Sequence, residues 1–127
     1  MARGLKLEDL EVYKTAMEIG DIVWSIVAKW SYFEKSTLGS QYTRAADSIA
    51  LNISEGYGRF HYKENKNFCY YSRGSAKETL TITEKAKVRK LLSDEEYNLL
   101  STKLELYFKL VYGYINSIGT VKDEASS

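Results

Sequence analysis

The chain has 127 residues, 44% apolar and 28% charged, with a formal net charge of +1 and no proline. This is globular composition sufficient for one core, and it excludes disordered chains, proline-rich linkers and polyproline docking segments. One cysteine, Cys69, and one histidine, His61, exclude an internal disulfide framework and a zinc cluster. No run approaches the ~20 apolar residues of a membrane span. Glu8, Asp9, Glu11, Glu18 and Asp21 interrupt any signal-peptide pattern, so the expected location is cytoplasmic.

The first periodic segment predicts a helix over about 7–30. Leu10, Tyr13, Met17, Trp24 and Val27 form one stripe, and Ala16, Ile19, Val23, Ile26 and Trp30 form another beside it. Together they predict one wide apolar face. Gly20 stands where the first stripe should have a side chain, which predicts a close helix crossing. Ser31 to Thr37 reads as a connection, with Ser36 or Thr37 as the cap of the next helix.

That helix is expected over about 38–57, burying Leu38, Tyr42, Ala45, Ala46, Ile49 and Ile53. Gln41, Arg44, Ser48, Asn52 and Glu55 form a polar stripe beside this face. Gly56 and Gly58 are expected to stop the helix, because glycine tolerates the left-handed conformation. A third helix over about 62–91 turns Phe68, Tyr71, Ser72, Ser75, Thr79, Ile82 and Ala86 inward. Gly74 and Ser75 at its middle predict tight packing there. Ser93-Asp94-Glu95-Glu96 is a capping box that opens a fourth helix over about 94–118. Its stripe is Tyr97, Leu100, Leu104, Tyr107, Phe108, Val111, Ile115 and Ile118, and residues 120–127 read as a disordered tail. The prediction is an all-α, single-domain, antiparallel up-down-up-down four-helix bundle.

Several motifs in this frame are familiar together. Leu7-Glu8-Asp9-Leu10-Glu11-Val12-Tyr13-Lys14 resembles the opening of the 23S rRNA intervening-sequence protein family, small bacterial four-helix-bundle proteins. Gln41-Tyr42-Thr43-Arg44-Ala45-Ala46-Asp47-Ser48-Ile49 and Asn52-Ile53-Ser54-Glu55-Gly56-Tyr57-Gly58-Arg59 are the stronger match. Arg73-Gly74-Ser75-Ala76-Lys77-Glu78 matches the family's Gly-Ser segment, and the resemblance spans roughly residues 7–118. Ala50 stands where relatives usually carry proline, which predicts a straighter second helix. The resemblance implies a four-helix protomer, assembly into ring-shaped homopentamers and no established catalytic residues. It also implies kinship in architecture with accessory proteins of diversity-generating retroelements, which work with a reverse transcriptase and nucleic acid.

The near-zero net charge conceals an uneven distribution. Residues 1–58 carry six Lys/Arg against eight Asp/Glu, residues 59–90 nine against three, and residues 91–127 three against six. In the basic block, Lys63, Lys66, Tyr70, Arg73 and Lys77 share about 80° of helix surface, with Arg59 just before them. Such cations neutralise phosphates while tyrosine rings stack on bases, so this stripe is the candidate RNA or nucleic-acid site. The competing reading is a solvated or subunit-facing surface on a structural module that binds a protein. Arg44 paired with Glu55 or Glu78 would fix helix register. His61 reads as a solvated surface residue and Cys69 as a small apolar one. Gly56-Tyr57-Gly58-Arg59 lacks the Lys-Ser/Thr of a phosphate loop. No enzyme, metal, cofactor or small-molecule substrate is expected. Eleven tyrosines, with Tyr107, Tyr112 and Tyr114 on different sides of one helix, predict a homo-oligomer, as do Leu80 and Leu91 off the inward face.

Overall fold

Two serines set where helices begin. In a capping box the serine hydroxyl accepts from the N3 amide while the N3 glutamate accepts from the serine amide. Glu34 N–H donates to Ser31 Oγ at 3.3 Å, and Ser31 N–H donates to Glu34 Oε1 at 2.9 Å. Glu96 N–H donates to Ser93 Oγ at 3.1 Å, and Ser93 N–H donates to Glu96 Oε1 at 2.9 Å.

The computed structural model describes residues 6–119. A 3-10 turn, Leu7–Asp9, precedes α1 (Glu11–Val27). A helical turn, Tyr32–Glu34, and a π segment, Lys35–Gly39, lead without a break into α2 (Ser40–Tyr57). α3 spans Tyr62–Val88 and α4 spans Asp94–Ser117. The regular structure of the described residues is all helical, and these four main helices form a helical bundle. The expected tail over 120–127 lies outside the described residues.

Three boundaries differ from expectation. Leu10 is extended, so α1 starts after it, and the helix ends at Val27 rather than Trp30. The second helical run begins at Tyr32, because Ser31 is the cap; the Ser36 and Thr37 hydroxyls instead donate to Phe33 O, at 3.2 and 2.7 Å. α3 ends at Val88, where Lys90 takes a left-handed φ of 61° and Leu91 N–H closes onto Ala86 O at 2.8 Å. Gly58 ends α2 at φ −79°, so the left-handed stop expected there is absent. α2 runs through Ala50 without interruption.

α1 packs on α2 and α4, and α3 packs on the same two helices. The second stripe of α1 is buried as expected, but Met17 and Trp24 of the first are exposed. Gly20 carries the expected close crossing, since a Cβ there would lie 2.7 Å from Asp47 Oδ1 of α2. The predicted α2 face is buried, with Leu38 half-buried at its start. On α3, Tyr71 is exposed, and Asn65, Cys69, Ala76 and Thr83 are buried in addition to Ser72, Thr79, Ile82 and Ala86. The α4 stripe is buried at Leu100, Leu104, Tyr107, Val111, Ile115 and Ile118, with Tyr97 and Phe108 half-buried, and Tyr114 joins it.

The inner face of α3 is rich in hydroxyls, each of which needs a partner once buried. Ser72 Oγ donates to Ile49 O at 2.7 Å, so the Tyr107 hydroxyl donates to Ser72. Thr83 Oγ1 donates to Thr79 O at 2.7 Å, so the Tyr42 hydroxyl donates to Thr83, at 2.6 Å. Burial pushes Tyr42 up to about 12, against the lowering effect of the Thr83 bond, and pushes Tyr107 up as well. At one end, Trp30 stacks on Tyr42 and its Nε1–H donates to Leu91 O at 3.0 Å. Lys29 pairs there with Glu96 at 2.6 Å, and Lys103 pairs with Glu18 at 2.7 Å farther along α1 and α4.

Two glycines make opposite predictions. A Cβ on Gly56 would lie 2.6 Å from Asn65 Oδ1, 2.8 Å from Phe68 Cβ and 3.0 Å from Asn65 O, whereas one on Gly74 meets nothing within 4 Å. The tight packing expected at the Gly74-Ser75 step is therefore not at Gly74 within this chain. Gly56→Ala should destabilise by about 1–3 kcal/mol through overpacking, and Gly74→Ala should stabilise by roughly 0.5–1 kcal/mol through helix propensity. Urea midpoints read both.

Glu96 supplies a pH test. Partial burial raises its carboxyl, but the Lys29 bond and the capping amide outweigh that, holding it below its ordinary 4.5. A depressed acid stabilises the fold above its unfolded value and loses that contribution as pH falls through its folded value. The stability difference between the native chain and Glu96→Gln, which keeps the cap acceptor, should therefore be full near neutrality. It should shrink as pH drops below 4.5.

Candidate nucleic-acid interface

The helical period gathers Lys63, Lys66, Tyr70, Arg73 and Lys77 along one edge of α3. Lys63, Tyr70, Arg73 and Lys77 are exposed, and Lys66 is half-buried. The edge is more than a row of ammonium groups. Arg73 Cζ sits 5.1 Å from the Tyr70 ring centroid, and Lys77 Nζ sits 4.9 Å from that of Phe108 on α4. A cation over a ring face is attracted by its quadrupole, worth about 0.5–1 kcal/mol at an exposed site. The rings thus hold the charges in place without neutralising them. Among the described residues, none of these four cations has a carboxylate within salt-bridge distance.

Two of the three carboxylates of α3 are engaged elsewhere. Glu84 accepts from the Tyr97 hydroxyl at 2.5 Å, and Glu78 accepts from Gln41 Nε2 at 3.4 Å. Arg59 stands apart from the stripe it was expected to join. It pairs with Glu55 at 2.9 Å and lies 4.8 Å over the Phe68 ring, so its charge is compensated.

The polar stripe of α2 does not form the expected inter-helix pairs. Arg44 is exposed, Glu55 is held by Arg59, and Glu78 by Gln41. Ser48 Oγ donates to Arg44 O at 2.7 Å and Asn52 Nδ2 donates to Ser48 O at 2.9 Å, both turns of their own helix. Ser75 supplies the carbonyl for Thr79 Oγ1 at 2.8 Å. Glu55 and Arg59 are one turn apart, so sequence spacing could have found that pair. Periodicity gives Phe108 only a core role. It is half-buried, and one side of its ring is open to Lys77.

Chemistry at the two classical nucleophile and base candidates is poorly served. Cys69 is buried, its Sγ faces Asn65 Oδ1 at 3.9 Å, and burial pushes its thiol up to about 12. A reactive thiol needs the opposite shift. His61 is exposed and stacked edge-on against Phe60 at 5.1 Å. A cleft of about 250 Å³ between α1 and α2 is lined by Met17, Gly20, Asp47 and Leu51. Burial, and then the nearby Asp21, push the Asp47 carboxyl up. Among the described residues, no group of three His, Cys, Asp or Glu is placed to hold a metal ion. No helix among them is long and apolar enough to cross a membrane.

These features define an all-helical bundle with a cation–aromatic edge on α3. Residues 8–113 match the family described as 23S rRNA-intervening sequence protein, and the chain belongs to that family. It is similar to a solved structure from Bacteroides thetaiotaomicron, a protein of unknown function from the S23 ribosomal protein family. The TM-score is 0.77 at 19% identity, covering 84% of this chain and 96% of that one. At that identity the likeness shows the shared fold. No curated protein matches the chain.

Proposed function

We infer that this chain is a non-enzymatic, self-assembling bundle that presents the α3 edge to RNA phosphates. One observation carries the reading: among the described residues Lys63, Lys66, Arg73 and Lys77 have no carboxylate partner, while Tyr70 and Phe108 steady two of them. Solvated helix faces normally intersperse both signs, whereas here two of the three acids of α3, Glu78 and Glu84, turn to other partners. Rings and cations side by side suit a strand whose phosphates are held and whose bases stack. An antiparallel up-down-up-down course agrees with the short connections and with each helix packing on two neighbours.

Self-assembly is supported by surface that the protomer leaves uncovered. Leu80 and Leu91, expected to be surplus, are half-buried against this chain's own core. Met17, Trp24 and Leu51 take their place: Met17 and Leu51 line the α1–α2 cleft, and Trp24, 66% exposed, stands two turns farther along α1 beside Lys35 and Thr43. Large exposed apolar groups along one side of a bundle suit an interaction surface. A ring of copies would repeat the α3 edge in every subunit and sum its field.

RNA binding is tested by salt titration with a hairpin RNA. Affinity should fall steeply with salt. Replacing Lys66, Arg73 and Lys77 together with Ala should flatten the log–log slope by about 0.9 for each phosphate that is no longer neutralised. Negligible affinity at low salt, or affinity indifferent to salt, defeats this reading. Assembly is tested by light scattering at micromolar concentration. The native chain should be oligomeric, and the Trp24→Asp, Leu51→Asp double variant should become monomeric with unchanged helicity. A monomeric native chain defeats that half.

A further inference from the structure

The π segment Lys35–Gly39 fits one extra residue into the turns before α2. In an uninterrupted helix Phe33 would lie nine residues before buried Tyr42, about half a turn away, and point outward. The extra residue turns everything before it by about 100°. Phe33 thereby reaches the flank of α2 that faces α3. Phe33 is still 73% exposed, and it lines a cleft of about 640 Å³ with Gln41, Glu78, Thr81, Lys85 and Arg89. The backbone beneath it is fixed, since the Ser36 and Thr37 hydroxyls both donate to Phe33 O.

The cleft has two chemically distinct ends. Glu78 and Gln41 are bonded to one another at one end. Lys85 and Arg89 lie about two and three turns farther along α3 than Glu78, and among the described residues neither has an ion-pair partner. At ~1.5 Å rise per residue, Glu78 and Lys85 are about 10 Å apart along the axis. Cations in a last helical turn complement the helix dipole. That accounts equally for Lys87, yet Lys87 lies 3.8 Å over the Tyr97 ring toward α4, whereas Lys85 and Arg89 face the cleft.

We propose that this cleft is a binding site for a single-stranded nucleotide segment, with a base stacked on Phe33 and the adjoining phosphates held by Lys85 and Arg89. The proposal rests on the nucleic-acid reading above and adds a second, base-contacting site to it. The Glu78 carboxylate repels phosphate, so the strand lies with its phosphates toward Arg89 and a base edge toward Gln41 and Glu78. The volume is in the range of pockets that enclose small ligands, about 300–1,000 Å³. A lone phosphate would use the cations and leave the ring idle, and an acidic peptide would do the same. The aromatic beside the cations favours a base.

The test is fluorescence anisotropy on the full chain with a labelled short oligoadenylate, an abasic phosphodiester of equal length, and an oligoglutamate peptide. Phe33→Ala should weaken oligoadenylate binding about tenfold and leave the abasic strand within about twofold. Lys85→Ala with Arg89→Ala should weaken both strands and flatten the salt slope by about 0.7 per phosphate. Both variants change exposed side chains, and circular dichroism checks their fold. Equal loss for the abasic strand, no loss with Phe33→Ala, or an oligoglutamate that binds as tightly as oligoadenylate overturns the proposal. The Lys66, Arg73, Lys77 alanine variant separates the two readings. If hairpin binding depends on that edge while Phe33→Ala changes nothing, only this site fails. If Phe33→Ala acts and the edge variant does not, only the edge fails. A native chain that binds neither RNA overturns both.

Discussion

The bundle depends on how α3 satisfies its buried hydroxyls. Ser72, Thr79 and Thr83 face the interior with Ala76 and Ala86, so this helix brings little apolar area of its own. An unpaired buried hydroxyl would cost about 1–3 kcal/mol, and a row of them would be hard to offset in a domain this small. Two tyrosines from different helices complete the row: Tyr42 of α2 reaches Thr83, and Tyr107 of α4 reaches Ser72. Each brings a large apolar ring with a polar tip into the core. The small α3 residues leave room for those rings, and the rings supply the donors that the hydroxyls lack. The α2–α3 approach at Gly56, where no Cβ fits beside Asn65 and Phe68, is part of the same close packing.

That arrangement frees the outer edge of α3. Because the hydroxyl face holds the helix in place, its charged residues are not needed as inter-helix ion pairs. Among the described residues, the ion pairs that join helices lie instead between α4 and α1 or the turn just after it, at Lys103–Glu18 and Lys29–Glu96. Arg73 and Lys77 rest on rings, which leaves their charge available, and Glu78 and Glu84 of the same helix are bonded away from them.

Much of this fold can be read from periodicity. The Ala45, Ala46, Ile49 and Ile53 face of α2 and the Leu100-to-Ile118 face of α4 follow a clean helical repeat and are buried. The start of the second helical run escapes such a reading, although Ser31-Tyr32-Phe33-Glu34 has the same Ser-x-x-Glu form as Ser93–Glu96. Ser36 and Thr37 lie nearer the apolar repeat and so look like better caps. The π segment explains why, since it puts the repeat before it out of phase with the repeat after it. Tyr71 is misplaced by periodicity for a different reason: α3 has so few large apolar residues that angle alone favours a tyrosine over Cys69 or Asn65. The stripe of cations is legible from spacing. Their ring partners are only half legible, because Tyr70 is one turn from Arg73 whereas Phe108 belongs to another helix. The Glu55–Arg59 pair lies in plain spacing, in competition with the longer-range pairs open to Arg44.

Trp30 links the α1–α2 connection to the α3–α4 connection. It sits between α1 and the Tyr32 turn, and its indole N–H bonds to Leu91 between α3 and α4, 61 residues away. Contacts between helices adjacent in sequence close short loops and form early, whereas this bond waits until the two halves of the chain have met. Its backbone acceptor is set by the left-handed Lys90 and the closure of Leu91 onto Ala86. The indole therefore acts as a late latch: it contributes little to folding speed and bears mainly on how slowly the completed bundle comes apart.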